Sequence, residues 1–130
     1  MGSDQYHEPP EELPAETRTF ARLCTSLQEE AEAIGWYAQR LAIEPDEEAR
    51  AVMRDAQGEE FKHFAMDLEF LLRRTPLWRE IAEGILFTAG DIVEHGEEAE
   101  EGAVEEQAAK GAPLVGSESL GIGSLRGSTR

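Results

Sequence analysis

Between residues 49 and 70 the chain carries a seam that suits a packed helix, yet it holds ionisable residues that would be costly in an apolar core. Ala49, Met53, Ala56, Glu60, His63, Asp67 and Phe70 recur at alternating intervals of four and three. That is the repeat of side chains lying along one face of a packed α-helix. Inside it, Glu60-x-x-His63 sets a carboxylate and an imidazole side by side, because three residues turn the chain by about 300°. Ionisable groups on the packed side of a helix are costly unless they are paired or bound to metal. The residues alone leave two readings open. One is a solvated charged patch; the other is part of a metal site, favoured if a second helix brings another carboxylate.

The first helix starts near Pro14, with Glu16 in its positive first turn. Phe20, Cys24, Leu27, Ala31, Ile34, Ala38 and Leu41 form its stripe, and Cys24 on that stripe reads as a packing residue. Leu23, Glu30 and Tyr37 flank the stripe at seven-residue spacing, so Glu30 borders the packed face while Glu29 and Glu32 point further outward. Pro45 ends this helix near residues 42–44 and begins a second, which runs to about Arg74. Phe61, Ala65, Leu68 and Leu72 give that second helix another apolar line, so it needs more than one neighbour. Gly58 costs it about 1 kcal/mol relative to Ala. Thr75-Pro76 opens a short third helix, Leu77 to Phe87, stopped by Gly90.

The flanks look different. Residues 1–12 are polar, with Pro9-Pro10, and read as a disordered lead-in to a helical domain over 13–92. His7, and His95 beyond the domain, fall in segments expected to be disordered and read as incidental. Residues 93–118 are rich in Glu, Ala and Gly and read as an extended acidic linker, and 119–130 form a terminal peptide.

Charge narrows the partners. A formal net charge of −16 repels phosphate backbones, which argues against nucleic acid. Metal cations or basic protein surfaces are better matched. The single cysteine excludes an intrachain disulfide framework and is compatible with a reducing cytoplasm. Neither a membrane-spanning run nor a signal-peptide pattern is evident, so the expectation is a soluble, intracellular protein that does not use membranes.

Two long helices offer one isolated Glu and one Glu-x-x-His. A ferritin-like di-iron centre takes a Glu from each of two helices and a Glu-x-x-His from each of two others. This chain holds half of that set, and a two-fold axis would double it. The expected fold is therefore all-α: an antiparallel two-helix hairpin plus a short C-terminal helix, with a ferritin-like four-helix bundle completed by dimerisation. Two Fe²⁺ ions would neutralise the four carboxylates of the pair and could deliver electrons to O₂ together. Imidazole suits Fe and Zn alike, so the ligand types do not fix the metal.

Glu29-Glu30-Ala31-Glu32-Ala33-Ile34-Gly35-Trp36-Tyr37, Glu59-Glu60-x-x-His63-x-x-Met66 and Leu86-Phe87-Thr88-x-Gly90 resemble the encapsulated ferritins. The resemblance covers roughly residues 8–92. It implies a two-helix protomer that dimerises around a ferroxidase centre, with dimers assembling into an open ring, commonly a decamer. It also implies Glu30, Glu60 and His63 as iron ligands, Trp36 and Tyr37 as the aromatic pair beside the centre, with Tyr37 counted among the catalytic residues, and Glu29 and Glu32 as additional metal-attracting carboxylates. The chain departs from the family pattern at Gly35, where an acidic residue can stand, and at Phe61-Lys62 within the Glu-x-x-His. Both departures bear on iron access and packing.

The tail Ser119-Leu120-Gly121-Ile122-Gly123-Ser124-Leu125-Arg126-Gly127 resembles the peptide that targets cargo into encapsulin shells. Leu120, Ile122 and Leu125 would be its apolar anchors. Together these resemblances imply an O₂-dependent ferroxidase that delivers iron for storage inside an encapsulin nanocompartment in the cytoplasm. The alternatives are a non-catalytic metal-binding structural or buffering oligomer, and a cargo adaptor that acts through its tail alone.

Overall fold

The computed structural model describes residues 6–111, and these contain four α-helices and no strand. The helices are α1 (Ala15–Ile43), α2 (Glu47–Arg73), α3 (Pro76–Ile85) and α4 (Ile92–Lys110). The chain forms two compact units divided within α2, after Leu71. Residues 1–5 of the lead-in, and the tail from 112 with its terminal peptide 119–130, lie outside the described residues.

The segment just before α1 is more structured than its composition suggests. Pro10–Glu12 form a 3-10 turn. The Arg18 guanidinium reaches back from the first turns of α1 to donate to the carbonyl oxygens of Pro10 and Leu13. A disordered lead-in is therefore wrong for this part: a side chain eight residues along supplies partners that polar composition does not reveal.

α1 ends where expected, with Glu44 extended before Pro45. Its last carbonyls, which have no partner within the helix, are taken up by the other half of the hairpin. The Arg50 guanidinium donates to Leu41 O and, at 3.2 Å, to Glu44 O. Asp46 then opens α2, its Oδ1 accepting from Ala49 N at 2.8 Å. No residue of α1 is fully buried. Cys24 is half-buried rather than enclosed, and that burial raises its thiol pKa. Val52, Phe61 and Met66 on α2 are more than half exposed; of the second apolar line, Phe61 and Ala65 are exposed, Leu68 is half-buried and Leu72 is buried.

The second unit contains the main departure from the sequence reading. Most of the segment 93–118, expected as an extended linker, lies in a helix of 19 residues, Ile92–Lys110. Its start and stop are well made. Asp91 caps the N-terminus by accepting from Glu94 N at 3.0 Å, Lys110 stands in the last turn, and Gly111 closes the C-terminus with φ 72°. Its packed stripe is Gly96, Ala99, Ala103 and Gln107, with Val104 beside it. Ala103 and Val104 pack with Leu77 and Ile81 of α3. The buried Gln107 donates its Nε2 hydrogen to Glu80 Oε1. Small residues allow a very close crossing: a Cβ added at Gly84 would stand 2.6 Å from Ala99 Cβ. The core here is built by the approach of backbones, which is why so few bulky side chains suffice.

α3 is shorter than expected. It stops at Ile85, Leu86 is extended, and the fully exposed Phe87 takes φ 63°. That conformation costs a non-glycine residue about 1–2 kcal/mol. Thr88 Oγ1 donates to Ile85 O at 2.6 Å, satisfying one terminal carbonyl. Gly90 turns the loop at φ 101° and is not the helix stop itself. His95, expected to be incidental, holds this loop through a ring-nitrogen hydrogen bond to Ala89 O at 2.7 Å.

Candidate metal centre

α1 and α2 are antiparallel, and polar contacts fix their register. Arg50 meets Leu41 and Glu44 near the turn, Gln57 Nε2 donates to Ile34 O at 3.1 Å in the middle, and Glu30 faces Asp67 further on. This register sets Glu30 against the Glu60–His63 turn. One ligand atom from each of Glu30, Glu60 and His63 lies within 4.8 Å of the other two. Among the described residues this is the one group of three or more His, Cys, Asp or Glu side chains with that geometry.

The surroundings grade from dry to wet. Glu30 Oε1 is withdrawn from water and receives no hydrogen bond. Glu60 is partly buried, and its Oε1 is 3.6 Å from His63 Nδ1, whose side chain is 46% exposed. The centre therefore has an open side at the imidazole. Neighbouring Glu59 is turned elsewhere, paired with Lys62 at 2.8 Å on the exposed side, where an ion pair adds little to stability. Adjacent glutamates thus have different work: one is a surface partner and one lies in the cluster.

Glu30 is electrostatically unusual. Removal from water pushes its pKa from the ordinary 4.5 up to about 7; facing Asp67 and nearby Glu60 add to the rise, and His63 opposes it. At neutral pH a proton is therefore held loosely where a cation could displace it.

The other residues named from the sequence lie outside this cluster. Glu29 and Glu32 are exposed on α1. Trp36 is 49% exposed. Tyr37 is half-buried two turns from Glu30, about 10 Å along the helix, with the Arg40 guanidinium 5.2 Å from its ring centroid. Sequence reasoning gave no role to Asp67, although it placed Asp67 on the seam. Its signal was the spacing of four from His63 and seven from Glu60. What the spacing could not tell is that a carboxylate stands opposite. Among the described residues, no helix is long and apolar enough to cross a membrane.

Comparison with known proteins agrees with this architecture. The EncFtn-like family profile matches residues 5–89. An "Encapsulated ferritin-like protein" of Rhodospirillum rubrum is 43% identical over 129 residues, spanning 98% of this chain and 91% of that protein. A "Ferritin-like protein" of Thermotoga maritima is 44% identical over 101 residues, 78% of this chain and 89% of the relative. A crystal structure of a Nitrosomonas europaea protein superposes with a TM-score of 0.66 at 39% identity, covering 68% of this chain and 98% of that one.

Proposed function

The chain belongs to the EncFtn-like family, and from that premise we propose that it is a ferroxidase, oxidising Fe(II) with O₂ at a di-iron site shared between two copies of the hairpin. The observation that carries this reading is the convergence of Glu30, Glu60 and His63 within 4.8 Å on one helix pair. Their chemistry fits the metal: two carboxylates and an imidazole suit iron in both oxidation states. The buried Glu30 Oε1 lacks a hydrogen-bond donor, a deficit that a cation would remove.

Iron bound there would supply the one-electron steps, two Fe(II) together giving O₂ two electrons. The chain's part is to bind and to place. Glu30 and Glu60 offer charge, His63 fixes the open side with a neutral donor, and the partly dry Glu30 wall strengthens each electrostatic contact. One chain holds too few ligands for two metals, and its apolar residues Phe61, Met66 and Val52 are left uncovered. A second copy answers both needs, and dimers of this kind could close into a ring such as a decamer. Glu29 and Glu32, exposed on α1, would attract iron toward the centre, and Tyr37 would serve as its aromatic neighbour.

The match to the Rhodospirillum rubrum relative extends over 98% of the chain and so reaches into the tail. This supports residues 119–130 as a peptide that places the enzyme inside an encapsulin shell.

The test is anaerobic loading with Fe(II), admission of O₂, and measurement of ferric absorbance and O₂ uptake. Glu60→Ala and His63→Ala each remove most of the activity, as does Glu30→Ala, while Glu29→Ala and Glu32→Ala mainly slow uptake. Native mass measurements should shift toward dimers or larger rings with Fe(II). Tight binding of two irons by an isolated monomer would sink the shared site.

A further inference from the structure

We propose that Asp67 is a further metal-ligating residue of this centre, taking a divalent cation jointly with Glu30; the proposal rests on the metal-site reading above. Asp67 lies one turn beyond His63 on the same face of α2 and faces Glu30 across the helix pair. Glu30 Oε1 and Asp67 Oδ2 are both shielded from solvent, and neither receives a hydrogen bond.

Once both are ionised, two carboxylates facing each other cannot satisfy one another, because both are then acceptors; only a proton shared between them would do so. Burying them unpaired is costly. A purely structural contact at this position would normally match a donor with an acceptor, and one amide in place of either acid would do so. The chain instead sets two acids together beside a third carboxylate and an imidazole. Such a wall is unfavourable when empty and favourable when a cation lies against it, which is how a binding site differs from a packing contact. Asp67 stands outside the tight group of Glu30, Glu60 and His63. It therefore extends the site on the Glu30 side.

This arrangement predicts opposite effects on stability and on binding. Asp67→Asn keeps the shape and gives Glu30 a donor. In the full-length, metal-free protein at pH 8, where the unaltered pair has lost its shared proton, it should raise the melting temperature by about 4 °C, the shift expected for one repaired buried hydrogen bond. The same variant should bind Mn²⁺, measured by anaerobic titration calorimetry, at least tenfold more weakly than the unaltered chain. Glu30→Gln supplies the donor from the other side and should raise the melting temperature likewise. Asp67→Glu, which retains the charge, should recover part of the Mn²⁺ affinity. If Asp67→Asn does not fold, Asp67→Glu and Glu30→Gln still decide the matter: equal Mn²⁺ affinity in Asp67→Glu and no gain in stability in Glu30→Gln would overturn it. Unchanged affinity in a folded Asp67→Asn overturns the ligand role, as does weaker binding accompanied by lower metal-free stability, since that marks Asp67 as structural. Absence of Mn²⁺, Co²⁺ and Zn²⁺ binding by the unaltered protein would instead overturn the metal-site reading itself.

Discussion

The loosely held proton on Glu30 makes the stability of the metal-free protein depend on pH in a direction opposite to that of a salt-bridged acid. Below pH 4.5 Glu30 is protonated whether the chain is folded or not. Between 4.5 and about 7 the folded chain keeps a proton that the unfolded chain has released, so stability falls as pH rises through that window. Above about 7 the loss is complete. At about 1.4 kcal/mol per pH unit, the span from 4.5 to about 7 sets a ceiling of about 3 kcal/mol. Glu30 is only partly buried, and screening by the water that reaches it brings the expected loss to about 1–2 kcal/mol.

The measurement is urea unfolding of chelator-treated protein at pH 5, 6, 7 and 8, for the unaltered chain and for Glu30→Gln. Glutamine does not titrate and can donate to Asp67. The stability advantage of Glu30→Gln should therefore widen from pH 5 to about 7 and then level off. Metal binding should run the other way in the unaltered chain: below about pH 7 the proton on Glu30 competes with the cation, so binding tightens as pH rises. A stability difference between the two proteins that stays flat from pH 5 to 8 would refute the burial argument, because it would mean that Glu30 titrates alike in the folded and unfolded chains.

Gly84→Ala should destabilise by about 1–2 kcal/mol, since crowding against Ala99 outweighs the roughly 1 kcal/mol that alanine gains in a helix; thermal melting should show Ala99→Gly restoring part of the loss, and Gly102→Ala, which meets nothing within 4 Å, should not lower stability. Truncation after Gly111 should leave Fe(II) oxidation nearly intact, because Glu30, Glu60 and His63 all lie upstream. Co-expression with an encapsulin shell should yield filled shells for the full chain and empty ones for the truncated chain.

The long hairpin was legible because its signals are local. Pro14 and Pro45 mark ends, and the intervals of four and three mark faces, so α1 and α2 have nearly the expected bounds. α4 was not legible as a helix because its packing stripe is Gly and Ala, which a search for bulky apolar residues passes over. Asp91, Glu94, Lys110 and Gly111 did carry capping signals, but a run of glutamates read as solvated chain. Asp67 shows another limit. Periodicity assigns a residue to a face, whereas its chemistry depends on the register of the opposing helix. That register is fixed by Gln57 on Ile34 and Arg50 on Leu41 and Glu44, contacts between residues that no spacing rule pairs.

The polar wall and the exposed apolar residues of α2 bear on each other through charge. A single hairpin brings Glu30 and Glu60 together with one imidazole and sets Asp67 against Glu30, so two hairpins meeting at these faces would bring six carboxylates into a small volume. Burial of Val52 and Met66, which lie on one side of α2, would favour that meeting, at about 25 cal/mol for each Å² of apolar surface removed from water. Repulsion among partly desolvated carboxylates opposes it, and grows as water is excluded and the effective dielectric falls. In the metal-free protein the two terms work against each other. Divalent cations reverse the sign of the second term without altering the first, so on the proposed reading the same ions that the site oxidises would also complete the bundle that holds it. A surface with only the apolar residues would associate regardless of metal, and one with only the acids would not associate at all. Having both on one helix pair is what would make assembly responsive to iron.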